Sequence, residues 1–289
     1  MKILVIGSGF LGTPIVRQLE AEGHELLTLS RTNKAEIQSR QIVGDFFDEK
    51  DVLMALSWGP QVVIHTAWVA KQKTYLEDPS NSEYTDCTIR LAHQVANLSI
   101  EHLIILGTCA EYGRQTSAVS AGRTVLSPQS FYAIQKVIAF NATRKILQGS
   151  ETRLTWARVF HPYGPNQEKQ RLIPYLINSL MEGNAIQLKD TTTIHDWITT
   201  RDISSAISWV INHKSPQEID IGTGIGYSNI ELLEHLTQLM GKPEQVVQRN
   251  GLSSTARSVI QVDQDSPLFM SGWQAQDDLI SGLKWLLNK

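Results

Sequence analysis

Short apolar runs alternate with segments of helical periodicity along the first part of the chain. The apolar runs predict six strands, at 2–6, 25–29, 42–45, 62–68, 102–106 and 154–160. Apolar residues at helical spacing predict helices between them, at about 13–23, 48–56, 80–98 and from 130 onward. Continuous apolar strands that alternate with helices are typical of a parallel sheet covered on both faces.

The alternation becomes less regular after residue 165. Helices are predicted at 171–181, 202–211, 228–240 and 277–287, and short strands at 186–188, 193–199 and 218–221. We therefore predict an α/β fold, with a Rossmann-like doubly wound parallel sheet in residues 1–165 and a smaller mixed α/β C-terminal lobe in residues 166–289. Residues 198–223 are expected to return and pack on the first domain.

Composition and charge exclude several classes of protein. The chain has 289 residues and a net charge of −3, with no basic run, which argues against nucleic acid and anionic membranes as partners. Two cysteines, Cys87 and Cys109, exclude a disulfide framework and fit a reduced compartment. No apolar run approaches a membrane span, so we expect a soluble cytoplasmic protein. The eight histidines show no spacing of metal ligands, and we predict no metal site.

A glycine-rich turn lies between the first predicted strand and the first predicted helix. Gly7, Gly9 and Gly12 form GxGxxG, with Phe10 and Leu11 inside the motif. The strand–turn–helix context is the one that a dinucleotide fingerprint requires. Glycines permit a tight turn and a close approach of the backbone to a pyrophosphate at the helix N-terminus. Residues 1–165 are therefore predicted to bind NAD or NADP.

The end of the second strand indicates which dinucleotide is bound. An acidic residue at this point accepts hydrogen bonds from the ribose hydroxyls of NAD, but here Ser30 is followed by Arg31. A carboxylate would repel a 2′-phosphate, whereas a guanidinium pairs with it. We therefore predict a preference for NADP over NAD. Asp45, at the end of the third strand, is predicted to contact the adenine edge.

Tyr132 and Lys136 lie four residues apart on a predicted helix, and so on the same face of it. A nearby cation lowers the pKa of a phenol. Such a tyrosine can give a proton to a carbonyl oxygen as a hydride arrives, or take the proton back in the reverse reaction.

Other strand ends supply further candidates. The Thr108 hydroxyl follows the fifth strand and is expected to lie in the same crevice as Tyr132, where it would bond a substrate carbonyl. Trp68 follows the fourth strand and would either border a ligand or pack in the core. His65, inside that strand, is predicted to be a packed histidine. The polar segment 115–129 is rich in small residues and is predicted to form a mobile flap.

Taken together, these features resemble the extended short-chain dehydrogenase/reductase family of NAD(P)-dependent nucleotide-sugar epimerases, dehydratases and reductases. The resemblance covers essentially the whole chain. Besides the glycine turn and the Tyr132–Lys136 pair, it rests on His65-Thr66-Ala67, Thr108 four residues before Tyr112-Gly113, Arg158-Val159-Phe160-His161-Pro162-Tyr163-Gly164-Pro165, Arg171-Leu172-Ile173-Pro174, His195-Asp196-Trp197-Ile198, Asp220-Ile221-Gly222-Thr223-Gly224 and Gly272-Trp273.

The resemblance implies roles for particular residues. Thr108, Tyr132 and Lys136 would be the catalytic triad, in which Thr108 and Tyr132 hold the sugar carbonyl oxygen. Lys136 would bind the nicotinamide ribose and tune the tyrosine. The cofactor site would also include Thr66, Ala67 and Phe160.

Departures from the family pattern narrow the reaction. The 4,6-dehydratases of the family have Thr-Asp-Glu where this chain has Thr108-Cys109-Ala110, so the acid and base of dehydration are absent. The 3,5-epimerase/reductases carry a cysteine at the position of Ala110, and Cys109 lies one residue too early. On an extended segment Cys109 would point to the opposite face, and we interpret it as a packing residue. The reactions that remain are those that only oxidise or reduce a carbonyl carbon: a 4-keto reductase, or a 4-epimerase that oxidises and then reduces the same carbon.

The substrate side is less well defined by the resemblance. His195 stands where many members have an arginine that meets the sugar-nucleotide phosphates, and His161 stands where asparagine is usual. Arg171 and Arg257 remain as candidate diphosphate ligands, or are surface charges. Trp68 and Thr108 complete the predicted substrate site. The substrate would be a nucleotide sugar or a compound with a different head group.

The resemblance also implies a homodimer, because members of the family often pair through two helices per subunit, one of them the Tyr132 helix. Ala139 and Ala142 on that helix would permit close packing.

Three functions follow, in this order. The first is NADPH-dependent reduction of a nucleotide-linked 4-keto sugar, because the predicted NADP preference suits a biosynthetic reductase. The residues around Thr108 also resemble those of the 4-keto-6-deoxyhexose reductases. The second is an NAD-retaining nucleotide-sugar 4-epimerase. The third, from a different class, is a non-catalytic NADP-binding regulator, against which the presence of Tyr132 and Lys136 argues.

Overall fold

A computed structural model describes residues 1–69, 74–188, 190–242, 247–249 and 258–289, with the backbone alone at 247–249. Its strands are β1 (Lys2–Ile6), β2 (Glu25–Ser30), β3 (Arg40–Val43), β4 (Val62–His65), β5 (His102–Thr108), β6 (Arg153–Val159), β7 (His161–Tyr163), β8 (Ile186–Leu188), β9 (Ile194–Thr199), β10 (Glu218–Ile221), β11 (Gly226–Ser228), β12 (Val247–Arg249) and β13 (Val259–Ile260). Its α-helices are α1 (Gly12–Ala21), α2 (Glu49–Leu56), α3 (Ser80–Asn97), α4 (Phe131–Leu147), α5 (Leu172–Glu182), α6 (Thr200–Asn212), α7 (Asn229–Leu239), α8 (Pro267–Met270) and α9 (Leu279–Leu287).

A parallel sheet of seven strands organises the molecule, in the order β10-β6-β5-β4-β1-β2-β3. The chain leaves β1 in one direction towards β3 and then returns to place β4 on the other side of β1. In a sheet of this kind the crevice beyond the carboxyl ends of the two central strands is the position where ligands bind. The α/β, Rossmann-like prediction is confirmed for this sheet.

Both faces of the sheet are covered, which explains the continuous apolar run of a central strand such as β1. In β1, Ile3 and Val5 pack into the cluster that holds helices α1 and α6. Leu4 and Ile6, which point to the other face, pack with helices α2, α3 and α4. All four side chains are fully buried, and each contributes about 1.5–3 kcal/mol of hydrophobic stabilisation. The short strand is thereby held between two helical layers.

The later part of the chain adds a second set of strands and helices. β9 pairs with β7, β11 and β13, and β8 pairs with β12. Side chains of α5, α7 and α9 form a cluster with Tyr163 and Trp197. Within residues 198–223, β10 pairs with β6 and α6 packs against α1. The division into residues 1–165 and 166–289 as two functional units stays a prediction.

Segment 115–129, which we predicted to be a mobile flap, is anchored in its middle. The Val119 amide donates to the carbonyl oxygen of Gln261 at 2.8 Å, and the Ala121 amide donates to the Asp220 carboxylate at 2.6 Å. Val119 and Ala121 are both buried. The segment is therefore held between Asp220 on β10 of the central sheet and Gln261, the residue that follows β13.

The surface of α4 differs from the one that the dimer prediction assumed. Ala139, which we expected at a subunit interface, is fully buried in the core of its own subunit, so the close-packing argument fails for it. The apolar residues of α4 that are exposed are Ile134 and Ile138.

In the described part of the chain, no helix has the length and apolar character that a membrane crossing requires.

Candidate active site

A cavity of about 630 Å³ opens at the carboxyl ends of the central strands. The glycine turn and the ends of β2, β4 and β5 form one wall, and segments that follow β6 form the other. Of the residues predicted from sequence, the cavity is lined by Gly7, Gly9, Phe10, Leu11, Gly12, Ser30, Arg31, Asp45, Thr66, Ala67, Trp68, Thr108, Tyr132, Lys136, Phe160, His161 and Arg171.

The glycine turn has the shape that a dinucleotide requires. Gly7 has a φ of +101°, and a side chain on Gly12 would overlap the Gly7 carbonyl oxygen. The Thr66 hydroxyl donates to that same oxygen at 2.8 Å, which ties the turn to the end of β4. A β-carbon on Gly9, in contrast, would meet no protein atom within 4 Å. The residues present therefore fit a pyrophosphate that approaches the backbone at Gly9, at the N-terminus of α1.

The end of β2 carries hydroxyl and cationic groups. The Ser8 hydroxyl donates to the Ser30 hydroxyl at 2.8 Å, and Ser30 donates in turn to the Thr32 carbonyl oxygen at 2.9 Å. Arg31 is exposed and lines the cavity together with Lys34. At the neighbouring strand end, the Asp45 carboxylate is occupied by the Phe47 amide at 3.1 Å.

Thr108 and Tyr132 meet at the carboxyl end of β5. Ser130 caps α4 by accepting a hydrogen bond from the Ala133 amide at 3.2 Å, which places Tyr132 in the first turn of the helix. Burial raises the pKa of Tyr132, and the hydrogen-bonding interaction with the Thr108 side chain opposes that rise. At neutral pH the phenol therefore holds its proton, beside a hydroxyl that can share a substrate oxygen with it.

Lys136, one turn further along α4, is almost fully buried. Its Nζ donates to the Leu106 carbonyl oxygen at 2.7 Å and lies 3.7 Å from the centroid of the Trp68 ring. Burial lowers the pKa of Lys136 to about 7, and the negative charge of Glu111 acts in the opposite direction. Its partners are thus a carbonyl and a ring face.

Trp68 both borders the cavity and packs. Its Nε1 donates to the Asn81 side chain at 2.7 Å, and its ring stacks on Tyr84 with centroids 5.4 Å apart. His65 is buried, as expected, with Nε2 3.0 Å from the Thr88 hydroxyl, and burial keeps its pKa well below the usual value. His65 is therefore a neutral core residue.

The two cysteines are free and buried. Cys109 reaches the cavity wall, but burial raises the pKa of its thiol to about 12, so it is a poor proton shuttle.

The two histidines predicted for the substrate site, His161 and His195, have different positions relative to the cavity. His161 lines it, whereas His195 stands behind His161, with its Nδ1 3.1 Å from His161 Nε2. Burial lowers the pKa of His161, and that of His195 to about 4, so both rings are neutral at pH 7. His195 is not among the residues that line this cavity, where β9 presents Trp197, so its role at the substrate site stays a prediction.

The two candidate arginines have different outcomes. Arg171 lines the cavity, with its guanidinium carbon 4.9 Å from the centroid of the Tyr75 ring. Arg257 lies outside the described residues. Tyr75 and Trp197 are cavity residues that the sequence interpretation missed, although Trp197 belongs to the motif His195-Asp196-Trp197-Ile198 that carried the resemblance. Within the described ranges, no group of three or more acidic, histidine or cysteine side chains is placed to hold a metal.

Glu111 is the most informative residue that was missed. It is fully buried beside Thr108, and accepts hydrogen bonds from the Thr108 amide, Trp156 and Arg158. A sequence signal for it existed, because Thr108 and Glu111 have the T-x-x-E spacing of a capping box, and they form one around the short 3₁₀ helix Cys109–Tyr112.

A glycine turn at the switch point of a parallel sheet, with a hydroxyl, a tyrosine and a lysine at the neighbouring strand end, defines an oxidoreductase of the short-chain dehydrogenase/reductase type. The chain belongs to the NAD dependent epimerase/dehydratase family, whose model matches residues 3–222. The resemblance seen in the sequence is thereby confirmed.

Three known proteins show how far the similarity extends. A UDP-glucose 4-epimerase of Lactobacillus helveticus is 23% identical over 271 residues, which cover 83% of this chain and 82% of that protein. A dTDP-4-dehydro-6-deoxy-D-allose reductase of a Streptomyces species is 23% identical over 270 residues, covering 84% of this chain and 82% of that protein. The crystal structure of the Thermus thermophilus UDP-glucose 4-epimerase in complex with NAD has a TM-score of 0.87 at 22% identity, over 100% of this chain and 98% of that one.

Proposed function

We propose that this enzyme reduces the 4-keto group of a nucleotide-linked sugar with NADPH, and that Tyr132 is the proton donor. The observation that carries the proposal is the pairing of Thr108 and Tyr132 at the cavity, beside a turn in which no carboxylate is free to act as an acid or base. Bound NADPH would supply the hydride. The chain's own residues must then hold the carbonyl oxygen, protonate it and exclude competing chemistry.

Tyr132 and Thr108 would share the work on the carbonyl oxygen. Both side chains would hydrogen-bond that oxygen, so that negative charge developing on it is stabilised. As the carbonyl carbon accepts a hydride, the phenolic O–H bond breaks and its proton forms the new hydroxyl. The tyrosinate left behind is reprotonated from solvent. A cationic Lys136 would stabilise the tyrosinate, which is the reason for a lysine on the same helix face.

Dehydration is disfavoured because Glu111, the acidic residue of the turn, is held by hydrogen bonds. Glu111 is within three residues of Thr108, but its oxygens accept hydrogen bonds from Arg158 at 2.6 Å and from Trp156 at 3.1 Å. A carboxylate held in this way is not available to eliminate water from a sugar. The Cys109 thiol is also disfavoured as an acid, since its pKa is raised.

The choice of NADPH rests on the end of β2. Ser30, Arg31 and Lys34 line the cavity there, where a carboxylate would mark an NAD enzyme. An exposed guanidinium at this position can pair with a 2′-phosphate. Because a reductase exchanges its cofactor in each turnover, a preference for NADPH supports reduction.

A second candidate is an NAD-retaining nucleotide-sugar 4-epimerase. The same Thr108–Tyr132 pair could take the proton from a 4-hydroxyl and later return it, and a curated relative at 23% identity is a UDP-glucose 4-epimerase. An epimerase keeps its NAD, so the two candidates differ in cofactor exchange.

The nucleotide-sugar substrate is supported by the relatives and by the cavity. The names of the relatives specify UDP- and dTDP-linked sugars. Arg171 supplies a cation in the cavity lining, and the neutral His161 supplies a hydrogen-bonding ring.

We also propose a homodimer, for which the exposed Ile134 and Ile138 on α4 offer an apolar surface.

One experiment separates the two candidates. The purified protein is analysed for bound nucleotide, titrated with NADPH and NADH, and then assayed with NADPH and nucleotide-linked 4-keto-6-deoxyhexoses. Preferential binding of NADPH, followed by its oxidation on addition of the keto sugar, supports the reductase. NAD retained through purification, with interconversion of 4-epimers and no net NADPH oxidation, would replace the reductase with the epimerase.

A further inference from the structure

Glu111 is a charged residue in the interior, one turn from the reacting groups. Its side chain has no exposed surface. One carboxylate oxygen accepts a hydrogen bond from the Thr108 amide at 2.9 Å and from Trp156 Nε1 at 3.1 Å. The other accepts from Arg158 Nε at 2.6 Å and from the same Trp156 nitrogen at 3.1 Å. The carboxylate is therefore held from three directions.

The contact with Thr108 closes a reciprocal arrangement. While Glu111 accepts from the Thr108 amide, the Thr108 hydroxyl accepts from the Ala110 amide at 3.3 Å. Both the backbone and the side chain of Thr108 are thus fixed by the turn that follows it. Gly107 makes this possible, because a side chain there would collide with Trp156 and Glu111.

Arg158 connects the cluster to the other edge of the sheet. It is fully buried on β6 and donates from Nη1 to Glu218 on β10 at 2.9 Å. A buried ion pair loses much of its attraction to the cost of desolvation, and apolar residues can often replace it without loss of stability. Neutralising Arg158 is therefore not by itself a sufficient reason for a carboxylate at this point.

We propose that Glu111 is a positioning residue of the active site, which fixes the Thr108 hydroxyl towards the substrate and places a negative charge behind Lys136. This role rests on the proposed function of Thr108 and Lys136. Glu111 does not touch the substrate. It acts through the backbone of Thr108 and through its charge.

The charge of Glu111 matters because, within the part of the chain that the structure describes, Glu111 is the charged group whose field acts on Lys136. Burial lowers the pKa of Lys136, and Glu111 raises it. The titratable and π groups that face Lys136 from the elements around it are Glu111 from the 3₁₀ turn, the neutral His65 from β4, Tyr132 from its own helix, and the rings of Trp68 and Trp156. Without Glu111, the ammonium form of Lys136 is less stable.

Two variants separate positioning from charge neutralisation. Glu111→Gln removes the charge and keeps an acceptor for the Thr108 amide, but it leaves Arg158 without its buried partner. The double variant Glu111→Met/Arg158→Met removes the whole ion pair and the acceptor together. If Glu111 served only to neutralise Arg158, the double variant would recover wild-type turnover. We expect instead that the Tm of the double variant stays close to that of the wild type while its kcat falls about 100-fold. A displacement of about 1 Å at a reacting group has a cost of that size.

Glu218→Gln is the matched control. It makes the same chemical change at the other carboxylate that binds Arg158, at a site that does not touch Thr108. We expect its kcat and its pH profile to match wild type. A comparable loss of kcat in Glu218→Gln would show that the network acts only through general packing, and would overturn the proposal.

A measurement that does not depend on turnover tests the charge. The protein is labelled with ¹³C at lysine Cε, the Lys136 signal is assigned by its disappearance in Lys136→Arg, and its shift is followed with pH. Lys136 should titrate at a lower pH in Glu111→Gln than in wild type and at an unchanged pH in Glu218→Gln. An unchanged midpoint in Glu111→Gln contradicts the proposal, whereas a wild-type enzyme that reduces no keto sugar contradicts the proposed function alone.

Discussion

The Nζ of Lys136 lies 3.7 Å from the centroid of the Trp68 ring. The lysine belongs to α4 and the tryptophan follows β4, so the pair joins two elements that meet only in the folded protein. A ring face stabilises a cation by electrostatic attraction, and more strongly when both groups are withdrawn from water. The indole therefore supports the charge of a lysine whose pKa burial lowers to about 7.

Removing that ring should change the pH dependence of the enzyme. A buried cation–π contact contributes about 2 kcal/mol, so Trp68→Leu should lower the pKa of Lys136 by about 1 to 1.5 pH units. The cationic lysine is lost as the pH rises through its pKa. The decline of kcat/KM with rising pH should therefore begin at lower pH in Trp68→Leu. Trp68→Phe keeps a ring and is the control, which should lie close to wild type. Equal shifts in both variants would argue against the ring.

Tyr132→Phe removes the proposed proton donor and little else. We expect turnover to fall by about 10²- to 10⁴-fold, which is the usual contribution of general acid catalysis. NADPH affinity, measured by fluorescence titration, should be nearly unchanged, since the phenyl ring still fills its place against Tyr75, whose ring centroid is 5.2 Å away. Retained turnover would exclude Tyr132 as the donor.

Arg31→Glu should reverse the cofactor preference. A hydrogen bond to a charged group contributes about 1.5–3 kcal/mol, so we expect NADPH affinity to fall by about 10- to 100-fold, with NADH affected far less. Arg17→Glu makes the same charge change on an exposed position of α1 outside the cavity, and controls for long-range electrostatics. Equal losses in the two variants would mean that Arg31 does not contact the 2′-phosphate.

Two glycine variants in the same turn should have different effects. Gly12→Ala would overlap the Gly7 carbonyl oxygen and should destabilise the cofactor-free protein by about 1–3 kcal/mol, as a lower Tm shows. Gly9→Ala meets no protein atom within 4 Å, so its Tm should stay at the wild-type value. Its added methyl group would occupy the space proposed for the pyrophosphate and should weaken NADPH binding by about tenfold or more, equivalent to about 1.4 kcal/mol. If Gly9→Ala binds NADPH with unaltered affinity, the cofactor does not bind against this turn.

Cys109→Ala tests the exclusion of cysteine chemistry. Because burial raises the pKa of this thiol to about 12, it carries almost no thiolate at pH 8. The variant should keep kcat within about twofold of wild type, while Thr108→Val in the adjacent position loses most of it. Iodoacetamide should leave the wild-type enzyme active over the same period. Inactivation by iodoacetamide that Cys109→Ala prevents would restore the thiol to the mechanism.

The order of strands and helices could be predicted from the sequence because it depends on local patterns. The apolar run at Lys2–Ile6 and the periodicity of the helix after it are visible without any partner. The glycine turn could be recognised from its spacing between a strand and a helix, although the groups that crowd Gly7 and Gly12 include Thr66, from a distant part of the chain. The four-residue spacing of Tyr132 and Lys136 places them on one helix face in any fold.

Tertiary structure decided which groups these residues meet. Glu111 and Arg158 are 47 positions apart and form a buried pair only because β5 and β6 are adjacent in the sheet. The sequence analysis placed His195 at the substrate, yet the packing of β9 against β7 leaves it behind His161. Periodicity determines the face that a residue occupies. The partner on that face depends on contacts between distant segments, and here those contacts set the charge and the orientation of the groups at the site.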